Sequence, residues 1–297
     1  MNTLRLHLHA PGEARSRYAR RMSPQEARDA RAFHEGFDAY APTPLVLLDA
    51  LAGRLGVKSV AVKDESPRFG LNAFKVLGSL YAIGRHIAQR ANLPAQALHG
   101  GASLGDACRR ALGDAMFFTA TDGNHGRGVA WAARELGCRA VVRMPAGTVE
   151  SRVANIRALG AQVSVEPLNY DQCVRLAARQ AAQTPGGVIV QDTAWPGYEQ
   201  IPLWIMQGYL TMALEADKQL GAPPTHIFLQ AGVGSMAAAV AGYFCARYPA
   251  CPPRIIVVEA AAANCFFRSA QAGRVQCVRG ALDTMMAGLA CGEPSPI

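Results

Sequence analysis

Lys75 sits in RFGLNAFKVLGSLYAIG, residues 68–84, among Leu, Phe, Val and Gly. The chain writes its positive charge almost wholly as arginine: of 30 basic residues only four are lysine, at 58, 63, 75 and 218. A primary amine can lose its proton and condense with a carbonyl, whereas a guanidinium stays charged. Apolar surroundings lower an amine's hold on its proton from the reference of about 10.4, which frees the nucleophile. The plainer use of Lys75 is a surface residue whose stem lies along apolar neighbours.

Three loops could surround such an amine. TDGNHGRG, residues 121–128, offers the carboxylate of Asp122 and the amide of Asn124 between glycines that permit close backbone approach, although Asp, Asn and Gly also suit an ordinary turn. VQDTAWPGYEQIP, residues 190–202, brings Asp192 to the end of the strand-like GGVIV, beside a stiff wall of Trp, Tyr and Pro; as a plain crossover it would need no reactive residue. QAGVGSMA, residues 230–237, opens a helix, and the N–H groups of Gly232, Val233, Gly234 and Ser235 can turn toward a phosphate. GVGSMA also fits G-x-G-x-x-A, with Glu259 ending the next strand as a ribose-binding acid would, so this motif alone leaves a dinucleotide-binding oxidoreductase open. Lys75 favours a different phosphate ligand. A lysine, a phosphate cradle and a donor to a phenolate oxygen are the requirements of pyridoxal 5'-phosphate.

These loops need a scaffold. Residues 1–40 read as a polar arm leading into a helix, PTPLVLLDALAGRLG as a helix ending at Gly56, and KSVAVKDES as a short strand with a charged turn at Lys63, Asp64 and Glu65. AFKVLGSLYAIGRHIAQRA has helical spacing, and LPAQALHGGASLGD is turn-rich. From residue 116 strands and helices alternate, which predicts an α/β fold of parallel sheets covered by helices. Ligands in such sheets collect at the carboxyl ends of strands, where all three loops fall. Residues 79–193 are expected to form a small α/β domain with four strands, and 1–78 with 194–297 a large, cofactor-binding domain.

Composition narrows the classes further. Half the residues are apolar and 18% are charged, as in a globular protein. No apolar run is long enough for a membrane span, and the N-terminus has no signal-peptide core, so a cytoplasmic protein is expected. Eight scattered cysteines without a C-x-x-C pair predict free thiols, and seven histidines without a helical ligand pair predict no metal site. The net charge of +8 is dispersed and lacks interleaved aromatics, which suits small anionic ligands and not nucleic acid.

KDESPRFGLNAFK (63–75), TDGNHGRGVAWAA (121–133), QDTAWPGYEQIPLWIMQGY (191–209), QAGVGSMA (230–237) and MAGLACGEPSP (286–296) together resemble the fold-type II pyridoxal-phosphate enzymes of the tryptophan synthase β family. Among them the chain is similar to the diaminopropionate ammonia-lyases. The resemblance implies a two-lobed fold in which Lys75 carries the cofactor, Asn124 contacts its 3'-oxygen and Gly232, Val233, Gly234, Ser235 and Met236 hold its phosphate. It implies a homodimer that eliminates ammonia from 2,3-diaminopropionate, the remainder hydrolysing to pyruvate and a second ammonia. Similar enzymes accept both stereoisomers, so Asp122 and Asp192 are expected as bases on opposite faces. Threonine dehydratases usually carry Ser-Phe-Lys and Ser-Gly-Asn-His where this chain has Ala73-Phe74-Lys75 and Asp122-Gly123-Asn124-His125. Another amino-acid ammonia-lyase or dehydratase of this fold is the nearest alternative. The relatives continue past the GEPSP motif, so the large lobe is expected to be incomplete at its C-terminus, with an inactive remnant as the competing reading. His125 is expected to line the pocket or to pack beside its loop, and Cys291, in a matched motif, simply to fill space.

Overall fold

The backbone at Lys75 is placed by a crossing of two helices, α3 (Lys75–Arg90) and α8 (Gln200–Leu220). Helix α8 is buried without interruption from Pro202 to Glu215, so it is the central strut of the core and not a surface helix. At the crossing, a Cβ on Gly208 would lie 2.4 Å from the Leu77 carbonyl oxygen and 2.8 Å from Gly78 Cα, and one on Gly78 would lie 2.6 Å from Tyr209 Cε1. Only hydrogen side chains let the two backbones come so close. Lys75 lies one turn before Gly78, so the seam determines where its side chain starts. Gly208→Ala should therefore destabilise the protein by roughly 1–3 kcal/mol or more, because the groups it meets are backbone and cannot turn aside. Thermal unfolding checks this against Gly53→Ala in α2 (Asp49–Leu55), where a Cβ meets open space and a helix former should raise the midpoint.

The computed structural model describes residues 6–7, 17–93, 101–121 and 123–297. Helix α1 (Pro24–Glu35), whose Ser23 accepts the Glu26 N–H, buries Ala27, Ala30, Phe33 and His34. His34 bridges the seam: Nδ1 lies 2.8 Å from Thr211 Oγ1 and Nε2 donates to the Leu77 carbonyl at 2.9 Å. Complete burial pushes its pKa down to about 3.

A four-stranded parallel sheet is built from β3 (Met116–Ala120), β4 (Arg139–Met144), β5 (Gln162–Val165) and β6 (Gly187–Ile189), in the order β5-β4-β3-β6. Helices α5 (Asn124–Glu135), α6 (Glu150–Arg157) and α7 (Tyr170–Gln183) connect its strands. A second parallel pair, β7 (His226–Gln230) and β8 (Arg254–Val258), is joined through α9 (Ser235–Arg247) and followed by α10 (Cys265–Ala272). The parallel α/β pattern expected from residue 116 onward is thus present.

Two expectations upstream fail. Leu45–Leu47 is not helical but forms strand β1, antiparallel to β2 (Ala61–Lys63), and the helix begins only at Asp49. Pro44 disfavours helix before it, and main-chain pairing with β2 decides the matter. The stretch read as turn-rich contains the start of helix α4 (Gly101–Leu112), whose alanines and leucines outweigh its glycines; residues 94–100 lie outside the described ones. Among the described residues no helix is long and apolar enough to cross a membrane, and no three His, Cys, Asp or Glu side chains are grouped to hold a metal. All eight cysteines are free thiols.

Candidate active site

The loop leading into α3 has to turn sharply, and its backbone shows it. Phe69, Gly70 and Asn72 have φ of 49°, 68° and 55°, a region costly for residues with a Cβ. Arg68 pins this loop. Its buried guanidinium grips Glu65 through Nε and Nη2, both at 2.8 Å, and Glu215 through Nη1 and Nη2 at 2.9 and 2.8 Å. Lys63 adds a second cation, 2.7 Å from Glu215 and donating to the Thr43 carbonyl at 2.5 Å. Burial alone would raise the Glu215 pKa, but the hydrogen bonds and charge of Arg68, then of Lys63, hold it down at about 2. The charged turn read at 63–65 is therefore half of a buried ion cluster closed by α8. On the other side, Phe69 packs on Trp131 with ring centroids 4.9 Å apart, and Arg127 donates to the Leu71 carbonyl at 2.7 Å.

From this anchored loop Lys75 reaches across to Asp192, with Nζ 2.5 Å from Oδ2; its side chain is 23% exposed and that of Asp192 only 2%. Asp192 follows β6 in a loop that cannot sag. Trp195 and Tyr198 exchange main-chain hydrogen bonds around Pro196 and Gly197, whose φ of 86° suits glycine, and their rings stack at 4.1 Å. The Tyr198 hydroxyl accepts the Gln191 N–H at 2.7 Å and donates to the Ile189 carbonyl at 3.0 Å. Gln191 is anchored by accepting from Thr119 Oγ1 and Ala120 N, each at 3.0 Å, and by donating to the Tyr170 hydroxyl at 2.9 Å. Burial would raise the Asp192 pKa, but the Lys75 ammonium and then His125 outweigh it and hold the carboxyl well below its usual range. His125 donates from Nε2 to the Val190 carbonyl at 2.9 Å, which leaves Nδ1 facing Asp192 Oδ2 at 3.9 Å.

The other two loops close around this pair. Asn124 opens α5 on the cavity wall beside His125, while Asp122 lies outside the described residues. Gly232 to Met236 line the same cavity at the N-terminus of α9. Gly234 has φ +97°, and a Cβ there would lie 2.3 Å from Phe266 Cζ; one on Gly232 would lie 3.1 Å from Cys291 Sγ. The hydroxyl of Ser235 donates to the Asp192 carbonyl at 2.5 Å, tying the anion-binding loop to the carboxylate loop. Ser295 fastens the last segment over both, with its N–H on the Val233 carbonyl at 2.9 Å and its Oγ accepting the Ala194 N–H at 3.2 Å. Glu259 is not available to a ribose. Its carboxylate accepts the N–H groups of Phe266 and Phe267, at 2.9 and 2.7 Å, at the start of α10.

A cavity of about 180 Å³ results, lined by Lys75, Asn124, His125, Asp192, Gly232 to Met236 and, unforeseen from sequence, Thr121, Tyr170 and Tyr209, with Gly288, Leu289 and Cys291 on its rim. The QGY of the 191–209 motif contained Tyr209, but nothing in its spacing gave it a role. The donor set fits pyridoxal 5'-phosphate. One lysine amine shares the cavity with a helix N-terminus, and the glycines of that loop leave room for an anion beside the helix's N–H groups.

Fold and site thus define a pyridoxal-phosphate-dependent enzyme, and the sequence profile of the family described as "Pyridoxal-phosphate dependent enzyme" matches residues 37–297. The chain is 52% identical over 272 residues to the diaminopropionate ammonia-lyase of Salmonella typhimurium, covering 90% of this chain and 67% of that protein. It is 50% identical over 280 residues to that of Escherichia coli K12, covering 93% and 69%. The crystal structure of the Escherichia coli enzyme in complex with D-serine superposes with a TM-score of 0.86 at 47% identity, over 95% of this chain and 69% of that one. The chain belongs to the diaminopropionate ammonia-lyase family of pyridoxal-phosphate enzymes, and spans about two thirds of the length of these relatives.

Proposed function

We propose that this protein eliminates ammonia from 2,3-diaminopropionate, with water converting the remainder to pyruvate and a second ammonia. The observation that carries the reading is the Lys75–Asp192 pair in a cavity walled by the N-terminus of α9. Bound through Lys75, the pyridoxal ring supplies an electron sink for charge developing on the substrate Cα. The residues of the chain do the rest. Lys75 would hold the cofactor, the N–H groups of Gly232 to Met236 would hold its phosphate, and Asn124 would meet its 3'-oxygen. Asp192 is ionised at neutral pH while the Lys75 ammonium holds it, and once that charge is gone its pKa rises and it can accept a Cα proton. Asp122, two residues before Asn124 in the sequence, acts as the base on the opposite face.

The test is pyruvate and ammonia release from each stereoisomer by the cofactor-loaded protein. Asp192→Asn and Asp122→Asn should each lose one stereoisomer by roughly 10²–10⁴-fold, the usual worth of a positioned base, and keep the other. Both variants retaining both activities would end the two-base assignment.

The same reading places the cofactor in a large lobe of residues 1–78 and 194–297, with 79–193 as a small lobe; the β3–β6 sheet lying wholly within 79–193 supports that division. It also makes the protein a cytoplasmic homodimer, a state that light scattering on the purified chain checks.

A further inference from the structure

Two thiols that the elimination chemistry does not use lie side by side, away from the cavity. Cys108 is on α4 and is 1% exposed, whereas Cys138 is half-buried in the turn between α5 and β4. The contact is set by backbone packing. A Cβ on Gly105 of α4 would lie 3.4 Å from the Leu136 carbonyl oxygen, and one on Gly137 would lie 3.1 Å from Arg109 Nη1. Gly137, with φ of 67°, reverses the chain after α5, and the Cys138 N–H then donates to the Ala133 carbonyl at 2.8 Å. Helix α4 thus presses on a turn whose backbone is tied down. The Cys138 sulfur lies 3.5 Å from the Leu136 carbonyl oxygen and within hydrogen-bonding reach of Cys108. The hydrogen bond with Cys138, and after it the charge of Arg109, hold the Cys108 thiol below its ordinary pKa against the opposing effect of burial.

A pair that only filled space would need neither the mutual contact nor the guanidinium beside it. We propose that Cys108 and Cys138 form an oxidation site, joined by hydrogen peroxide into a reversible disulfide that fastens α4 to the end of α5. The Cys108 thiolate attacks one peroxide oxygen; the O–O bond breaks, leaving a sulfenic acid and a hydroxide that takes up the proton the thiol gave away. The Cys138 sulfur then attacks the Cys108 sulfur. The S–O bond breaks, and the oxygen departs as water with the Cys138 proton. Two sulfurs have each given one electron, and one peroxide has become two waters. Closing the bond draws neighbouring sulfurs to about 2.05 Å and asks for no rearrangement of the helices. The half-buried side of Cys138 is where the oxidant reaches the pair. The helix fastened in this way begins at Asn124 and His125, which line the cavity.

The experiment treats the full chain with an equimolar amount of hydrogen peroxide, blocks remaining thiols, and digests it with trypsin without reductant. Peptides 91–109 and 135–139, which carry Cys108 and Cys138, should then be recovered as one linked species lighter by two hydrogens, and dithiothreitol should separate them. Thermal unfolding supplies the second reading. Peroxide should raise the wild-type midpoint by roughly 5 °C, the effect of closing a loop of this size, and dithiothreitol should reverse the rise. Cys138→Ser, whose reduced form should melt close to reduced wild type, should show no rise. Peptides 91–109 and 135–139 recovered unlinked from oxidised wild type overturn the proposal. So does a linked species with an unchanged midpoint, or a Cys138→Ser variant that keeps the peroxide-induced rise. None of these readings depends on cofactor or turnover, so they stand apart from the proposed elimination.

Discussion

Lys75→Ala abolishes both covalent retention of pyridoxal phosphate and ammonia release, while the protein remains folded. No other group in the cavity can replace it. The wall contains hydroxyls, two amides, a thiol, an imidazole and a carboxylate, but Lys75 is its sole amine among the described residues. Arginine at this position would preserve the ion pair with Asp192 and still fail, since a guanidinium does not condense with an aldehyde. The fold survives because the Lys75 side chain is part-exposed and packs no core; removing it leaves Asp192 without its nearest cation, and the pKa of that buried carboxyl moves upward. Circular dichroism close to wild type, together with loss of the visible absorbance of the lysine-bound cofactor, is the expected pair of readings.

The largest effect on stability falls at Arg68. Arg68→Ala leaves Glu65 and Glu215 buried side by side with Lys63 as their one remaining cation, a loss of about 3–5 kcal/mol by the usual cost of breaking a buried pair. Its pH dependence has a definite sign. The folded pKa of Glu215, about 2, lies below its ordinary 4.5, so its contribution is present above pH 4.5 and is lost as pH falls toward 2. His34 works in the same direction: with a folded pKa of about 3 against an ordinary 6.5, the unfolded chain takes up its proton first, and stability falls as pH drops below 6.5. Urea unfolding of wild type should thus show stability declining steadily from pH 6.5 downward. In Arg68→Ala the carboxyl of Glu215, freed of its main partner, titrates closer to its ordinary value or above it, so its share of the acid decline shrinks and the fall between pH 4.5 and 2 becomes shallower than in wild type. A wild type that loses no more stability between pH 4.5 and pH 2 than Arg68→Ala does would contradict the cluster's role.

How far the sequence reached depended on whether a residue's partner was local. Lys75 stood out by type, and the carboxyl end of a strand marked Asp192, yet the two lie 117 residues apart and only the fold brings them to 2.5 Å. Ser235 was legible as a donor at a helix start, but its link to the Asp192 carbonyl depends on how the two loops meet. Glu215 was invisible. In a helix of apolar residues it reads as one acid among neighbours, and its importance comes from Arg68 and Lys63, which approach from a distant loop. Glu259 left a dinucleotide reading open for the converse reason, since spacing alone mimics a ribose-binding acid where a short helix needs its N–H groups covered. Helical spacing misled at Leu45–Leu47 because pairing with Ala61–Lys63 gave the backbone a better alternative. Gly78 and Gly208 carried no periodic signal, although their missing side chains let α3 approach α8 and so place the reactive lysine.

The four lysines of the chain make the decisive measurement simple. Cofactor-loaded protein is reduced with borohydride, digested, and its peptides are weighed to locate the fixed pyridoxyl group. The label is expected on the peptide containing Lys75 and on none containing Lys58, Lys63 or Lys218. A label on any of those three, or no label at all, would contradict the assignment of Lys75 as the residue that carries the cofactor.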